Sequence, residues 1–285
     1  MIHITECPRD AMQGIHEMIP TELKAKYINQ LLKVGFEKID FGSFVSPKAI
    51  PQMQDTAAVL EKLDLSQTKS KLLAIIANER GAQDACQFEP IRFLGFPFSI
   101  SETFQQRNTN SSISESLKRV EAIQSLCLKN NKELLVYISM AFGNPYGDEW
   151  SPDIAINWGH RLSEIGIKHL ALADTTGSST PESIRLLFTE LLPALKNVEL
   201  SAHLHSVPQH SKQKLAAAYE AGCRKFDVAI HGFGGCPMAA DSLTGNISTE
   251  SLEAYALEKN IDLGIDIAAL VKSYEMSWEI FNRYH

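Results

Sequence analysis

Short runs of β-branched and aromatic residues alternate along the whole chain with stretches whose apolar positions recur at helical spacing. Eight of the short runs read as strands: residues 2–6, 36–41, 71–76, 91–96, 134–139, 169–173, 198–203 and 225–230. Each gives way to polar or glycine-containing residues, the pattern of strands buried on both faces of a parallel sheet. Residues 21–34 place Leu23, Tyr27, Leu31 and Val34 on one helical stripe. Ser112 and Glu115 form a capping-box pattern ahead of Leu117, Val120, Ile123 and Leu126. Ser151-Pro152 and Thr180-Pro181 each set an N-cap hydroxyl before a first-turn proline, and Gly35, Gly166 and Gly222 stand where helices should end.

Eight consecutive βα units close most naturally into an α/β fold of the (β/α)8 barrel type. A doubly wound open sheet is the alternative, and it fits less well because no GxGxxG follows the first strand. Ile267, Leu270, Val271, Tyr274, Trp278 and Phe281 then mark an amphipathic C-terminal helix. It reads as a lid on the barrel wall or as a dimer contact. The expected organisation is one domain over residues 1–285, with the barrel proper at about 1–258 and the extension at about 264–285.

Composition narrows the function more than the fold. The 285 residues are 44% hydrophobic and 21% charged, with a net charge of −7. Lysine and arginine form no cluster, which argues against nucleic acid as the main partner. No stretch approaches about 18 uninterrupted apolar residues, so no membrane span is expected. The first residues show neither an apolar signal core nor an Arg-rich leader, and the expected location is the cytoplasm. Five widely spaced cysteines (7, 86, 127, 223 and 236) contain no CxxC pair and suggest neither disulfides nor a structural zinc site.

The active site of such a barrel lies at the C-terminal ends of its strands. There the strongest signal is His203-Leu204-His205, because side chains at i and i+2 of a strand point the same way. Asp10, after the first strand, is placed to join them, since strands 1 and 7 lie two apart around a closed barrel. An Asp-His₂ set with open positions suits a divalent cation, Mg²⁺ or Mn²⁺, with Co²⁺ and Zn²⁺ compatible. Arg9 beside it could steady an oxyanion or enolate. Asp40 and Asp174, at two other strand ends, could orient Arg9 or a ligand, or merely cap loops. Cys236, in Gly234-Gly235-Cys236-Pro237, suits a loop that carries an acid/base to the substrate.

Taken together, PRDAMQ, SFVSPK, ADTTG, HLH and GFGGCPMA…TGN resemble the 3-hydroxy-3-methylglutaryl-CoA lyase family, within a group of metal-dependent barrels that includes homocitrate and isopropylmalate synthases. The resemblance runs to about residue 250, and the GGCP loop is its most discriminating part. It implies that Asp10, His203, His205 and Asn246 ligate a divalent cation. It implies catalytic roles for Arg9, Asp10, His203 and Cys236, with Arg9, Gln13, Ser43 and Asp174 lining the substrate site and Asp40 behind them. The implied substrate is an acyl-CoA and the implied reaction a retro-Claisen cleavage. A homodimer is expected, and the basic residues Lys48 and Arg107 are candidates for CoA phosphates. Five positions depart from the family: Asp40 stands for Glu, Ser206 for Asp, Ala11-Met12 for Gly-Leu and Ala171 for Ser. The rival readings are another acyl-CoA lyase, a Claisen-type synthase acting on a 2-oxo acid, and a barrel that binds without catalysis.

Overall fold

Eight parallel strands pair in sequence order and the last pairs with the first, closing a barrel. The structure, a computed structural model, describes residues 1–235 and 244–284; Cys236 lies outside the described residues. The order is β1 (His3–Glu6), α1 (Pro8–Met12), α2 (Thr21–Leu32), β2 (Lys38–Ser43), α3 (Thr56–Leu60), β3 (Lys71–Ile75), α4 (Glu79–Cys86), β4 (Ile91–Ser99), α5 (Glu102–Thr109) and α6 (Ile113–Lys129). There follow β5 (Glu133–Ser139), α7 (Pro152–Glu164), β6 (His169–Asp174), α8 (Pro181–Ala194), β7 (Glu199–Leu204), α9 (Pro208–Glu220), β8 (Lys225–Val228), α10 (Thr249–Glu258) and α11 (Ile267–Tyr284).

The expected strands are all present, with two shifts of consequence. β2 begins and ends two residues later than the hydrophobic run suggested, and β4 continues three residues further, through Pro97. A run buried on both faces carries no alternation to mark its ends, so hydrogen bonding to the neighbours sets them. The helix starts hold because their caps are local. Ser112 Oγ accepts from Glu115 N at 3.2 Å while Glu115 accepts from Ser112 N at 2.8 Å, and Thr180 Oγ1 accepts from Ser183 N at 3.2 Å. Gly35, Gly166 and Gly222 take φ of +85°, +88° and +102°, the left-handed turn that ends each helix without a Cβ clash.

Two apolar regions hold the molecule together. The large one lies between barrel and helices; the small one, Leu73, Phe93, Leu135, Tyr137 and Ala171, plugs the barrel interior. At the N-terminal end of the barrel, Lys225 Nζ reaches Glu37 at 2.6 Å and Glu199 at 2.9 Å. This leaves the C-terminal end for polar side chains that face inward. α11 buries Leu270, Ile280, Phe281 and Tyr284, and Gln30 of α2 donates to Ala269 O at 2.9 Å. Phe281 also stacks on Phe233, with ring centroids 4.4 Å apart. Ile267, Val271 and Trp278 stay exposed, so the apolar face of this helix is wider than what it buries.

Candidate metal centre

Asp10, expected at the end of the first strand, is carried on α1, a single turn that Pro8 starts immediately after β1. The turn swings Arg9, Asp10 and Gln13 over the barrel mouth. Two strands away around the barrel, His203 projects near the end of β7, and His205 sits one residue beyond that strand, in a bridge with Asn246. Donor atoms of Asp10, His203 and His205 lie within 4.8 Å of one another. Asn246 joins them through Nδ2, which donates to Asp10 Oδ2 at 2.6 Å and to Phe233 O at 2.9 Å.

The donor set fits a divalent cation on several counts. His205 Nδ1 faces the carbonyl of Thr244 at 2.8 Å; a carbonyl only accepts, so the proton sits on Nδ1 and Nε2 keeps its lone pair. Burial, and then the neighbouring His203, lower the His205 pKa to about 4, so the ring is neutral near pH 7. Asn246 Oδ1 is buried without a hydrogen-bond partner. Such an atom is costly unless a ligand completes it. Gly234, at φ +109°, passes so close that a Cβ there would lie 2.5 Å from Asn246 Nδ2 and 3.0 Å from Asp10 Oδ2. Its glycine serves the packing of the site as well as the bending of the loop. Asp10, His203 and His205 thus form a cluster able to hold a divalent cation, with the Asn246 carboxamide beside it.

Arg9 is held from behind. Its Nε and Nη2 both meet Asp40, with Nε–Oδ2 at 2.9 Å, while Nη1 donates to Gln13 Oε1 at 2.7 Å and Asp10 Oδ1 at 3.2 Å. Burial works against the guanidinium charge, but Asp40 and Asp10 outweigh it and raise the pKa of Arg9. Burial also pushes Asp40 up to about 6 against the pull of Arg9, with Asp10 and Asp227 adding to the rise. The Asp10 carboxyl is lowered: burial opposes this, and Arg9, His203 and His205 overcome it. His203 is raised; its burial opposes the rise and Asp227 prevails. One arginine thus stands among three buried carboxylates, a surplus of negative charge that a bound cation offsets.

The remaining sequence candidates fall in different surroundings. Asp174 is 1% exposed and fully engaged, accepting from Ser179 N at 3.0 Å, from Ser179 Oγ and from Lys214 Nζ at 2.7 Å. Lys214 donates also to Gly177 O at 2.9 Å and to His205 O at 2.8 Å, so the pair ties α9 to the loop after β6 and to the end of β7. Ser43 Oγ is occupied by Ile75 O and Val45 N, both at 3.2 Å. Gln13 bridges Arg9 and Asp10, donating to Asp10 Oδ1 at 2.6 Å. Lys48 is exposed, and Arg107 stacks 4.7 Å over the Tyr146 ring.

Among the departures, Asp40 still spans the Nε–Nη2 edge of the guanidinium despite its shorter side chain. Ser206 turns to Val207 O at 2.8 Å, and Ala171 packs in the apolar plug beneath the site. Sequence reasoning missed Lys214 and Asp227. Neither lies in a motif: Lys214 is in mid-helix and Asp227 in mid-strand, and only the closed barrel brings them to the histidines.

Comparison with known proteins gives concordant matches. A family model described as HMGL-like matches residues 2–276. The chain is 31% identical over 276 residues to a zebrafish (Danio rerio) protein named 3-hydroxy-3-methylglutaryl-CoA lyase, cytoplasmic, covering 97% of this chain and 82% of that one. It is 32% identical to the Bacillus subtilis hydroxymethylglutaryl-CoA lyase YngG, over 88% of this chain and 83% of that one. Among solved structures, an HMG-CoA lyase from Acinetobacter baumannii in complex with coenzyme A and 3-methylmalate superposes with a TM-score of 0.89 at 30% identity, covering 96% of this chain and 89% of that one.

Proposed function

This chain belongs to the HMGL-like family, and we infer from that membership and from the site that it is a carbon–carbon lyase cleaving 3-hydroxy-3-methylglutaryl-CoA to acetyl-CoA and acetoacetate. The observation that carries the reading is the convergence of Asp10, His203 and His205 within 4.8 Å beside an arginine pinned by Asp40. Asp10, His203, His205 and Asn246 would hold a divalent cation. When bound, that cation supplies Lewis acidity and a template for an oxygen-rich substrate.

The chain's own groups then have distinct tasks. Asp10, whose carboxylate keeps lone pairs while one oxygen ligates, takes the proton of the 3-hydroxyl; His203, the other candidate base, could do so only with its Nε2 off the cation. The oxygen lone pair becomes the ketone of acetoacetate as the C2–C3 bond breaks, and the bonding pair moves into the thioester to give the enolate of acetyl-CoA. Arg9 stabilises that enolate. Of its five N–H groups four are engaged by Asp40, Asp10 and Gln13, which leaves one on Nη2 for the substrate oxygen. Cys236 delivers a proton to C2, a role that rests on its place in the GGCP loop. The proton first removed restores the thiol, so the cycle closes without net consumption. Gln13 steadies both Arg9 and Asp10, while Ser43 and Asp174 support the loops around the acyl group.

Lys48, in the loop after β2, and Arg107, on α5, would meet the phosphates of the CoA arm. The exposed Ile267, Val271 and Trp278 of α11 support a homodimer. No helix of the described residues is long and apolar enough to cross a membrane. A cytoplasmic location agrees with the name of the zebrafish relative, although others of similar identity are named mitochondrial.

The deciding assay is acetoacetate release from 3-hydroxy-3-methylglutaryl-CoA by chelator-stripped protein, with and without Mg²⁺ or Mn²⁺. Metal-restored product supports both site and substrate. Metal binding without product would overturn the substrate and direct attention to Asp40 and Ser206.

A further inference from the structure

Asp227 is a buried carboxylate whose one described partner is a metal-site histidine. The register pairs His203 of β7 directly with Asp227 of β8, so both side chains face the barrel interior. Asp227 is 2% exposed, and its Oδ2 lies 3.3 Å from His203 Nδ1. Its Oδ1 is buried with no hydrogen-bond partner. Among the described residues no lysine or arginine pairs with it. Asp174, equally buried, has a lysine, a hydroxyl and a backbone amide. A buried charge so poorly satisfied is a cost to the fold rather than a support.

What this carboxylate does accomplish is to choose a tautomer. An unconstrained neutral imidazole favours its proton on Nε2, whereas a carboxylate facing Nδ1 draws the proton there. The Nε2 of His203 points the other way, 3.2 Å from His205 Nε2. The Thr244 carbonyl does for His205 what Asp227 does for His203. We propose that Asp227 is a positioning residue that fixes the Nδ1–H tautomer of His203, so that its Nε2 lone pair faces the metal position alongside that of His205. Without Asp227 the proton moves to Nε2, donates to His205 Nε2, and closes the space between the rings. The inference rests on the metal centre proposed above.

The test uses the full chain stripped of metal, as wild type, Asp227→Ala and the isosteric Asp227→Asn. The His203 tautomer is read from imidazole ¹⁵N shifts at alkaline pH, where the ring is neutral, and Mn²⁺ affinity by calorimetry. Wild type should show Nδ1–H, and Asp227→Ala should show Nε2–H with Mn²⁺ bound about 10–100-fold more weakly. Asp227→Asn can present either its carbonyl or its amide to Nδ1, and its affinity should follow whichever tautomer it shows. The urea midpoint of Asp227→Ala should not fall, since the carboxylate has no other partner to lose. The proposal is overturned by a variant with Nε2–H that binds Mn²⁺ as tightly as wild type, or by Nδ1–H persisting in Asp227→Ala. Wild type that takes up no Mn²⁺ overturns the metal centre instead, and is told apart because its tautomer still depends on Asp227.

Discussion

Arg9 shows how much of a site's chemistry is decided by partners that are distant in sequence. Its guanidinium is aimed by Asp40, 31 positions away, through bonds to both Nε and Nη2. Asp40→Asn removes the charge that anchors it, and kcat should fall by about 10²–10³-fold with a smaller change in KM, as steady-state kinetics would show. Unchanged kcat would mean that Arg9 needs no anchor. Gly234 makes a second case at this scale. A methyl group there meets Asn246 Nδ2 and Asp10 Oδ2 in a backbone conformation that strains any side chain. Gly234→Ala should therefore weaken Mn²⁺ binding by at least about tenfold in calorimetry, the scale of a disturbed ligand environment. The HxH pair was legible in the sequence because a strand sets the direction of i and i+2, and Asp10 because it follows the first strand of a closed barrel. The orphaned oxygen of Asn246 and the lock on His205 were not, since both depend on a segment that returns across the barrel mouth.

Between elements, buried ionisable groups act as ties whose cost is set by burial. Lys214 joins α9 to the loop after β6 through Asp174, with both side chains almost inaccessible. Lys214→Met would leave Asp174 charged and unpaired, and should lower unfolding stability by about 3–5 kcal/mol in urea titrations. A loss under about 1 kcal/mol would show that Ser179 alone satisfies the carboxylate. Glu6, at the end of β1, accepts from Ile230 N at 2.8 Å and Thr249 Oγ1 at 2.6 Å, and so fastens the start of α10 to the barrel. Burial, only partly offset by those hydrogen bonds, pushes its pKa up from 4.5 to about 8. Below about pH 4.5 the carboxyl is protonated whether the chain is folded or not. From there to about pH 8 the folded chain holds a proton that the unfolded chain has released, so stability declines as pH rises through this window. The decline is on the order of a few kcal/mol. Glu6→Gln should flatten the dependence of the urea midpoint on pH between 5 and 8, and an unaltered slope would refute the assignment. The helix starts at Ser112 and Thr180 needed no such context, because a cap is complete within four residues.

For the whole molecule, the metal position spans the seam where the barrel closes. The donors proposed for it come from α1 after β1, from the end of β7, and from Asn246 in the segment that follows β8. Binding there ties first to last and stabilises only the closed barrel. Mn²⁺ at about 100 times its Kd should add about 2.7 kcal/mol, which for a chain of this size raises Tm by roughly 5 °C. Calorimetric scans of stripped and reloaded protein would measure it, and equal Tm values would place the cation elsewhere. What the sequence by itself determined was everything that repeats locally: eight buried strands, helices with their caps and glycine ends, and the motifs at the strand ends from which a metal-dependent lyase could be read. Tertiary structure decided the rest. It set the strand ends, shortened the stretch after β1 into a helical turn, left half of α11's apolar face exposed, and brought Asp40, Asp227 and Lys214 to Arg9, His203 and His205. The reason is physical. Periodicity and capping act over a few residues, whereas the position of a charge in a barrel interior is fixed by register around a closed sheet, and no local pattern encodes that closure.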